Sequence, residues 1–519
     1  MRTKKGIAAI LSIIMLVGLL AACSGKTENN APSASPDGAA APEASTKLDP
    51  VTLKIMIPGD RPRDFDAVVA EAEKRMAGTL NVKLDVVFVP WADLAQKTQV
   101  TLSSGENIDL IFDAPWLHIT QQIAAGSYAP LDDLLQQYGP NILKNRPQAM
   151  WDANKFDGKI MGIPNGITFV QGRVYYVRKD IREQLGIAPI QTYDDLMKFA
   201  YAVKEKVPNM TPMIPAGQDV TKGLSEASFR HYWKDNTANI TPSPALSESL
   251  VLYTKNNDGK VYNLFDEMEP MVWSWIENSR KLYQDKIIHP DVLAIKDTGE
   301  LAKQGKAAII PNNDFGVKND VQQALKSVDP NAEFEAVTLM NLDKGAVLTN
   351  ALQYNFISVP AVSKNKERAI QFLDWANQKE NYDLLAYGVE GKNWEAVGDD
   401  QYKFLNDGYT WFPFAWIWNP ATDRQDAGQD DVTKQLNQWG ADVNNFTLDK
   451  LAGFTFNNTA VVNEISQYTS IEAKYYTAMF NGVVEPNEYW AKFKAEAAPL
   501  AKKIQNELQK QIDAFLAAK

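Results

Sequence analysis

In the stretch VTLKIMIPGDRP, the apolar residues Val51, Leu53, Ile55 and Ile57 fall on every second position until Pro58-Gly59 stops the run. A period of two ending in a turn pair predicts a β-strand. The spacing then changes. Phe65, Val68, Val69, Ala72 and Met76 recur at helical steps, which predicts a helix over Asp64–Met76. VKLDVVFVPW predicts a second strand, Ala92–Ser103 a second helix, and IDLIFDAPW a short third strand. Strand, helix, strand, helix, strand is the rhythm of an α/β fold, a mostly parallel sheet flanked by helices. Far along the chain, AAIIP and YNFISVP are strand-like and each is followed by polar residues and a helix pattern. They fit a second sheet or a return to the first.

In such sheets ligands bind beyond the carboxyl ends of the strands. The residues there are Gly59, Asp60 and Arg61 after the first strand, Trp91 after the second, and Asp113 with Trp116 after the third.

The N-terminus has a different pattern. Arg2, Lys4 and Lys5 precede an apolar run, Ile7 to Leu20, interrupted only by Ser12 and Gly18, and Ala21-Ala22 lead to Cys23, the single cysteine of the chain. A plain secretory signal needs no cysteine at its cleavage site. Leu20-Ala21-Ala22-Cys23 resembles the bacterial lipobox, which implies a signal peptide over 1–22 and a Cys23 thiol that is acylated and tethers the chain to a membrane. The other reading is a spanning anchor, since the run approaches bilayer length. Residues 23–49 are rich in Ala, Ser, Pro, Asn and Gly without apolar periodicity, the composition of a flexible linker. As a coil its ends lie about 25–30 Å apart.

Composition adds bounds. A chain of 519 residues exceeds what one core supports and implies more than one domain. Apolar residues at 45% and charged residues at 23% describe a folded, soluble body, and one cysteine leaves no internal disulfide to stabilise it. The net charge of −11 argues against a nucleic-acid partner.

Catalytic motifs are missing from the sequence. There is no G-x-S-x-G elbow and no H-E-x-x-H. Gly299 to Gly305-Lys306-Ala307 is one residue too wide for a phosphate loop and lacks the following Ser or Thr. His118, His231 and His289 are scattered, so no metal set is expected, and no cofactor is implied. Asn256-Asn257-Asp258-Gly259 would lack the acid that closes a calcium loop, and reads as a hairpin turn. A glycosidase-type carboxylate pair is conceivable among 64 acids, but nothing selects one.

Aromatics are the positive signal. There are 13 tryptophans, and GYTWFPFAWIWNPATDR holds Trp411, Trp416 and Trp418 close together. Flat rings suit the C–H faces of a pyranose, while amides and charged groups bond its hydroxyls. An aromatic core cluster under a surface loop is the alternative for each of them.

Several longer stretches, in order, carry a family resemblance: SGENIDLIFDAPW with IAAGSYAPLDDLLQQYGP, then GKIMGIPNGITFVQGRVYYVRKDIREQLGI, FDEMEPMVWSWIENSRKLYQDKIIHPDVL, LAKQGKAAIIPNNDFGV, VPAVSKNKERAIQFLDWANQKENYDLLAYGVEGKNWE and AGFTFNNTAVVNEISQYTSIEAKYYTAMFNGVVEP. Together they resemble the family 1 extracellular solute-binding proteins of ABC importers, especially their large lipoprotein subgroup of carbohydrate type. The resemblance implies a two-lobed periplasmic-binding-protein-like fold with a hinge of crossover strands. One lobe would span 50–166 and 340–388, the other 167–339 and 389–519. It places ligand contacts at Asp60, Arg61, Asp113 and Trp116, at Gln171 in the first crossing, at Asn313, Asp314 and Phe315 after AAIIP, and at Tyr354, Glu390 and Trp394. Trp233 is a further second-lobe candidate, and Trp91, Trp416 and Trp418 join from the strand ends and the aromatic stretch. Many relatives have tryptophan in the PNNDF segment, where this chain has Phe315.

The expectation is a monomeric, non-enzymatic receptor, anchored on the outer face of the cytoplasmic membrane through Cys23. It would capture a sugar or oligosaccharide and deliver it to an ABC permease. A receptor for a peptide or other organic solute and a secreted glycan-processing enzyme are the alternatives.

Overall fold

The computed structural model describes residues 48–166, 168–170, 173–214, 238–246, 249–295, 298–312, 315–317, 319–409 and 413–519. Two main sheets contain nine strands: β1 (Val51–Pro58), β2 (Val82–Val89), β3 (Leu110–Asp113), β4 (Ile163–Asn165), β5 (Val174–Arg178), β6 (Thr211–Met213), β7 (Ala307–Asn312), β8 (Phe334–Thr338) and β9 (Asn355–Ser358). The first sheet has the order β2-β1-β3-β9-β4 and the second β8-β5-β7-β6.

The opening pattern folds as its periodicity dictates. Leu53, Ile55 and Ile57 of β1 are fully buried, and the Phe65–Met76 helix buries Phe65, Val68, Ala72 and Met76 against the sheet. A short 3₁₀ turn over Trp91–Asp93 leads into the Leu94–Ser104 helix. AAIIP is the start of β7 in the second sheet, and YNFISVP supplies β9, a return to the first. Asn256, Asn257 and Gly259 take positive φ of 57°, 49° and 79° in the hairpin between Leu252–Thr254 and Tyr262–Asn263.

The α/β class is as expected, but the sheets are mixed. β1 runs parallel to β2 and β3, whereas β9 is antiparallel to β3 and β4. In the second sheet β5 is antiparallel to β7 and β8, and β6 runs parallel to β7. Connectivity explains the direction of β9. The chain leaves the first sheet at the carboxyl end of β4 and re-enters at that same edge, so the returning strand must run backwards.

Each sheet has its own core. Phe112, Ile163, Phe356 and Phe372 belong to the cluster on the first sheet. The second sheet is buried on both faces: Val174 and Tyr176 of β5 join one cluster, and Tyr175 and Val177 join another. A fourth cluster lies at the helical C-terminal end, where Phe493, Ala497, Ala501, Ile504, Leu508 and Ile512 form a buried stripe on the Pro486–Ala518 helix. Packing redraws one expected boundary. Trp394, Tyr409, Trp416 and Ile417 sit in the first cluster, and Met340, Val347 and Ala351 sit with the second sheet.

Packing thus changes from the first sheet region to the second between 166 and 173, back near 352, and again near 427–430. Residues of the first change are bonded to those of the second and to the Asp431–Ala441 helix. Phe169 N donates to Gly440 O at 2.8 Å, Thr349 Oγ1 donates to Phe169 O, and Gln353 Nε2 donates to Thr168 O at 3.3 Å.

Candidate functional site

β1, β2, β3 and β4 all run the same way, so their carboxyl ends share one edge of the first sheet, and β9 begins there. Four of the expected residues stand together on this edge in adjacent loops: Asp60 and Arg61, Trp91, and Trp116, with Tyr354 immediately before β9. Trp116 is 46% exposed and Tyr354 37% exposed, unusual for large aromatic groups. The Trp91 and Trp116 rings lie 6.2 Å apart at 35°, and Phe112 lies 6.1 Å beneath Trp116. Trp116 Nε1 donates to the Tyr354 carbonyl at 2.8 Å, which fixes the plane of an exposed indole.

Burial pushes the Tyr354 hydroxyl's pKa up, and the nearby positive charge of Arg173 pulls it the other way. Arg173 immediately precedes β5 of the second sheet, so a charge from the second sheet region is felt at Tyr354.

Asp113 has a different role from the one expected. Its carboxylate is fully buried and accepts from Ala114 N at 2.7 Å, His118 N at 3.2 Å and the Tyr128 hydroxyl at 2.5 Å. Burial raises its pKa, and those three donors oppose the shift. The carboxylate is enclosed by the 113–118 loop and Tyr128, and its acceptor bonds are internal to the first sheet region. Arg61 is exposed and turned toward the first sheet region. It pairs with Asp66, donates to Val86 O at 3.3 Å and lies 4.8 Å from the Phe65 ring. Asp60 is exposed.

The remaining aromatic candidates are mostly core. Trp394 is buried, donates to Gly388 O at 2.9 Å and carries Arg424 over its ring at 5.2 Å. Gly388 has φ 94°, and an added Cβ there would meet Asn393 at 2.8 Å, so YGVEGKNW is a tight structural turn with Glu390 exposed on it. Trp416 is buried between Phe65 and Phe372. Phe315 is buried edge-on to Trp439 at 6.0 Å, inside the second sheet's core. Trp418 is half-buried, and its Nε1 donates to Asp423 Oδ2 at 3.2 Å. Gln171, Trp233, Asn313 and Asp314 lie outside the described residues.

Sequence reasoning missed Arg146, Asn165, Arg173 and Asn355. Arg146 is buried without a carboxylate partner among the described residues. It donates to Pro164 O at 2.8 Å, Asn377 Oδ1 at 3.1 Å and Trp418 O at 3.1 Å, and burial lowers its pKa to about 10. A polar residue ending an apolar strand, as in IPN, was the available signal for Asn165.

Comparison with known proteins supplies the wider context. A family model described as bacterial extracellular solute-binding protein matches residues 67–388, and a domain of unknown function matches residues 450–517, the helical end. A carbohydrate ABC transporter substrate-binding protein of Streptococcus pneumoniae serotype 4 is 27% identical over 526 residues, covering 99% of this chain and 98% of its own. The polygalacturonan/rhamnogalacturonan-binding protein YtcQ of Bacillus subtilis is 24% identical over 77% of this chain and 76% of its own. The N-glycan transport solute binding protein NgtS of Streptococcus pneumoniae has the same fold, with a TM-score of 0.73 at 22% identity, covering 90% of this chain and 99% of its own. Its complex with Man5GlcNAc gives a TM-score of 0.68 at 23% identity, over 91% of this chain and 99% of its own. Among the described residues no helix is long and apolar enough to cross a membrane. With the matching model spanning more than half its length, the chain belongs to the bacterial extracellular solute-binding proteins, a family of receptors and not of enzymes.

Proposed function

We propose that this chain is the receptor subunit of an ABC importer and captures an oligosaccharide between two lobes. The observation that carries the reading is the exposed Trp116 indole, paired with Trp91 and held by the Tyr354 carbonyl at the strand-end edge. Rings presented this way displace water from the apolar faces of a sugar, at a place where polar groups can meet its hydroxyls. The names of the relatives support carbohydrate as the ligand class and differ in the sugar.

On this reading one lobe comprises residues 50–166 and 352–426 and the other 173–351 and 431–519. Ligand touching both lobes favours the closed form, so binding shifts a population that the three passes allow to hinge. A micromolar site amounts to about 8 kcal/mol, within reach of two stacked rings and a shell of hydrogen bonds. A separate subunit would hydrolyse ATP, and a permease would receive the sugar. Lipid attachment at Cys23 to the outer face of the cytoplasmic membrane rests on the leader sequence, which lies outside the described residues.

A thermal-shift panel of Man5GlcNAc, trigalacturonate, maltotriose and a tripeptide pool tests the reading. A ligand that binds only the folded protein raises its melting temperature. A sugar is expected to do so, and Trp116→Ala is expected to shrink the shift markedly. A response to peptides alone, or cleavage products after incubation with a glycan, overturns it.

A further inference from the structure

The end of β4 holds a side chain that the aromatic platform leaves unused. Asn165 is 1% exposed, and neither its Oδ1 nor its Nδ2 has a hydrogen-bond partner among the described residues. Folded chains rarely keep a buried amide in that state without a use for it. The backbone around it is held firmly. Arg146 Nε bonds the carbonyl of Pro164, the preceding residue, and a Cβ on the following Gly166 would lie 2.0 Å from Gln353 Oε1. The amide is thus left over at a rigid strand end.

In the β4–β9 register Asn165 stands directly opposite Asn355, which is half-buried and follows Tyr354. Residues opposite each other on antiparallel strands have Cβ atoms about 5 Å apart. Two amides therefore stand side by side on the edge where Trp116 is exposed.

We propose that Asn165, with Asn355 beside it, reads two neighbouring hydroxyls of a sugar unit. The inference rests on the carbohydrate-receptor reading and names the polar half of that site. A pyranose stacked on an indole directs its equatorial hydroxyls outward, near the plane of the sugar ring, so its polar partners must stand at the rim of the platform. A hydroxyl both donates and accepts, and each amide offers an acceptor oxygen and two N–H donors. Two adjacent amides match two adjacent hydroxyls.

The test uses Asn165→Leu, an apolar side chain of similar size, and Asn355→Ala at the half-buried position. Two quantities are measured: the melting temperature without ligand, and affinity for Man5GlcNAc and trigalacturonate by calorimetry. Asn165→Leu is expected to melt at or above wild type, because a buried amide without partners has been removed. It is also expected to bind Man5GlcNAc at least tenfold more weakly, about 1.4 kcal/mol. Asn355→Ala should weaken binding severalfold with little change in melting. A marked fall in the melting temperature of Asn165→Leu would reveal a structural role and overturn the inference. Wild-type affinity in both variants, with binding lost in Trp116→Ala, would overturn it and leave the carbohydrate reading intact. A wild type that binds neither Man5GlcNAc, trigalacturonate nor any other oligosaccharide ends both.

Discussion

The indole N–H of Trp116 donates to the main-chain carbonyl of Tyr354 at 2.8 Å, joining the loop after β3 to the residue that opens β9. The exposed ring is therefore fixed before any ligand arrives, and little rotamer freedom remains to be lost on binding. Trp116→Ala is expected to weaken sugar binding about 10- to 100-fold, with only a small change in the unfolding midpoint because the ring is half in solvent. Trp116→Phe keeps a stacking face but loses the tether, and should fall between the two in calorimetric titration.

Asp113 gives a pH-dependent prediction. Burial raises its pKa in the folded protein above the ordinary 3.8, so the native state takes up the proton first as pH falls. Protonation then favours folding. The stabilisation is complete below the unfolded-state pKa and is lost as pH rises through the folded-state value. Asp113→Asn keeps the acceptor for Ala114 N and His118 N but carries no buried charge. Relative to that variant, wild type is expected to gain stability as pH falls through the raised folded-state value toward the ordinary 3.8, read from urea midpoints across the series. A difference that stays constant with pH would rule out Asp113 as the titrating group.

These two neighbours show what was legible in the sequence. Period-two and helical spacing located β1, the Phe65–Met76 helix and the strand ends with accuracy, because burial of alternate residues leaves a local trace. Strand direction leaves none, so the antiparallel pairing of β5 and β9 could not be read from their own residues. Tryptophans posed the same difficulty. Trp116 and Trp416 both sit in aromatic-rich stretches close to a proline, yet one is exposed and the other lies between Phe65 and Phe372, partners far away in the chain. Asp113 looked like a ligand because it ends a strand, but its partner Tyr128 lies in a loop that only the fold brings close.

Arg146 is the clearest long-range tie behind the site. One guanidinium satisfies the carbonyls of Pro164 and Trp418 and the amide oxygen of Asn377, linking β4 to the aromatic stretch after residue 413. Arg146→Met removes the charge but also the donor to the Pro164 and Trp418 carbonyls, while Asn377 Oδ1 keeps the Asn419 amide, and it is expected to destabilise by about 2–4 kcal/mol. Arg146→Lys should recover only part of this, since an ammonium cannot span acceptors that a planar fork reaches together. Denaturant unfolding would measure both, and a Lys variant equal to wild type would show that charge alone matters.

Gly440 tests the packing between the passes and the second sheet. It lies within the Asp431–Ala441 helix, where alanine would ordinarily be favoured by about 1 kcal/mol. Here an added Cβ would fall 2.5 Å from Phe315 Cε2 and 3.2 Å from Thr168 Cγ2. Both neighbours are ring or branched groups packed in place, Phe315 against Trp439 and Thr168 beside the Phe169–Gly440 main-chain bond. The clash should outweigh the propensity gain, because overpacking a filled core costs about 1–3 kcal/mol. Gly440→Ala is therefore expected to lower stability by about 1–2 kcal/mol net of the helix gain. Adding Phe315→Leu makes room for the methyl and should return part of the loss, so the double variant is expected to be more stable than the two single changes sum to. Strict additivity in denaturant unfolding would show that the glycine is not retained for Phe315.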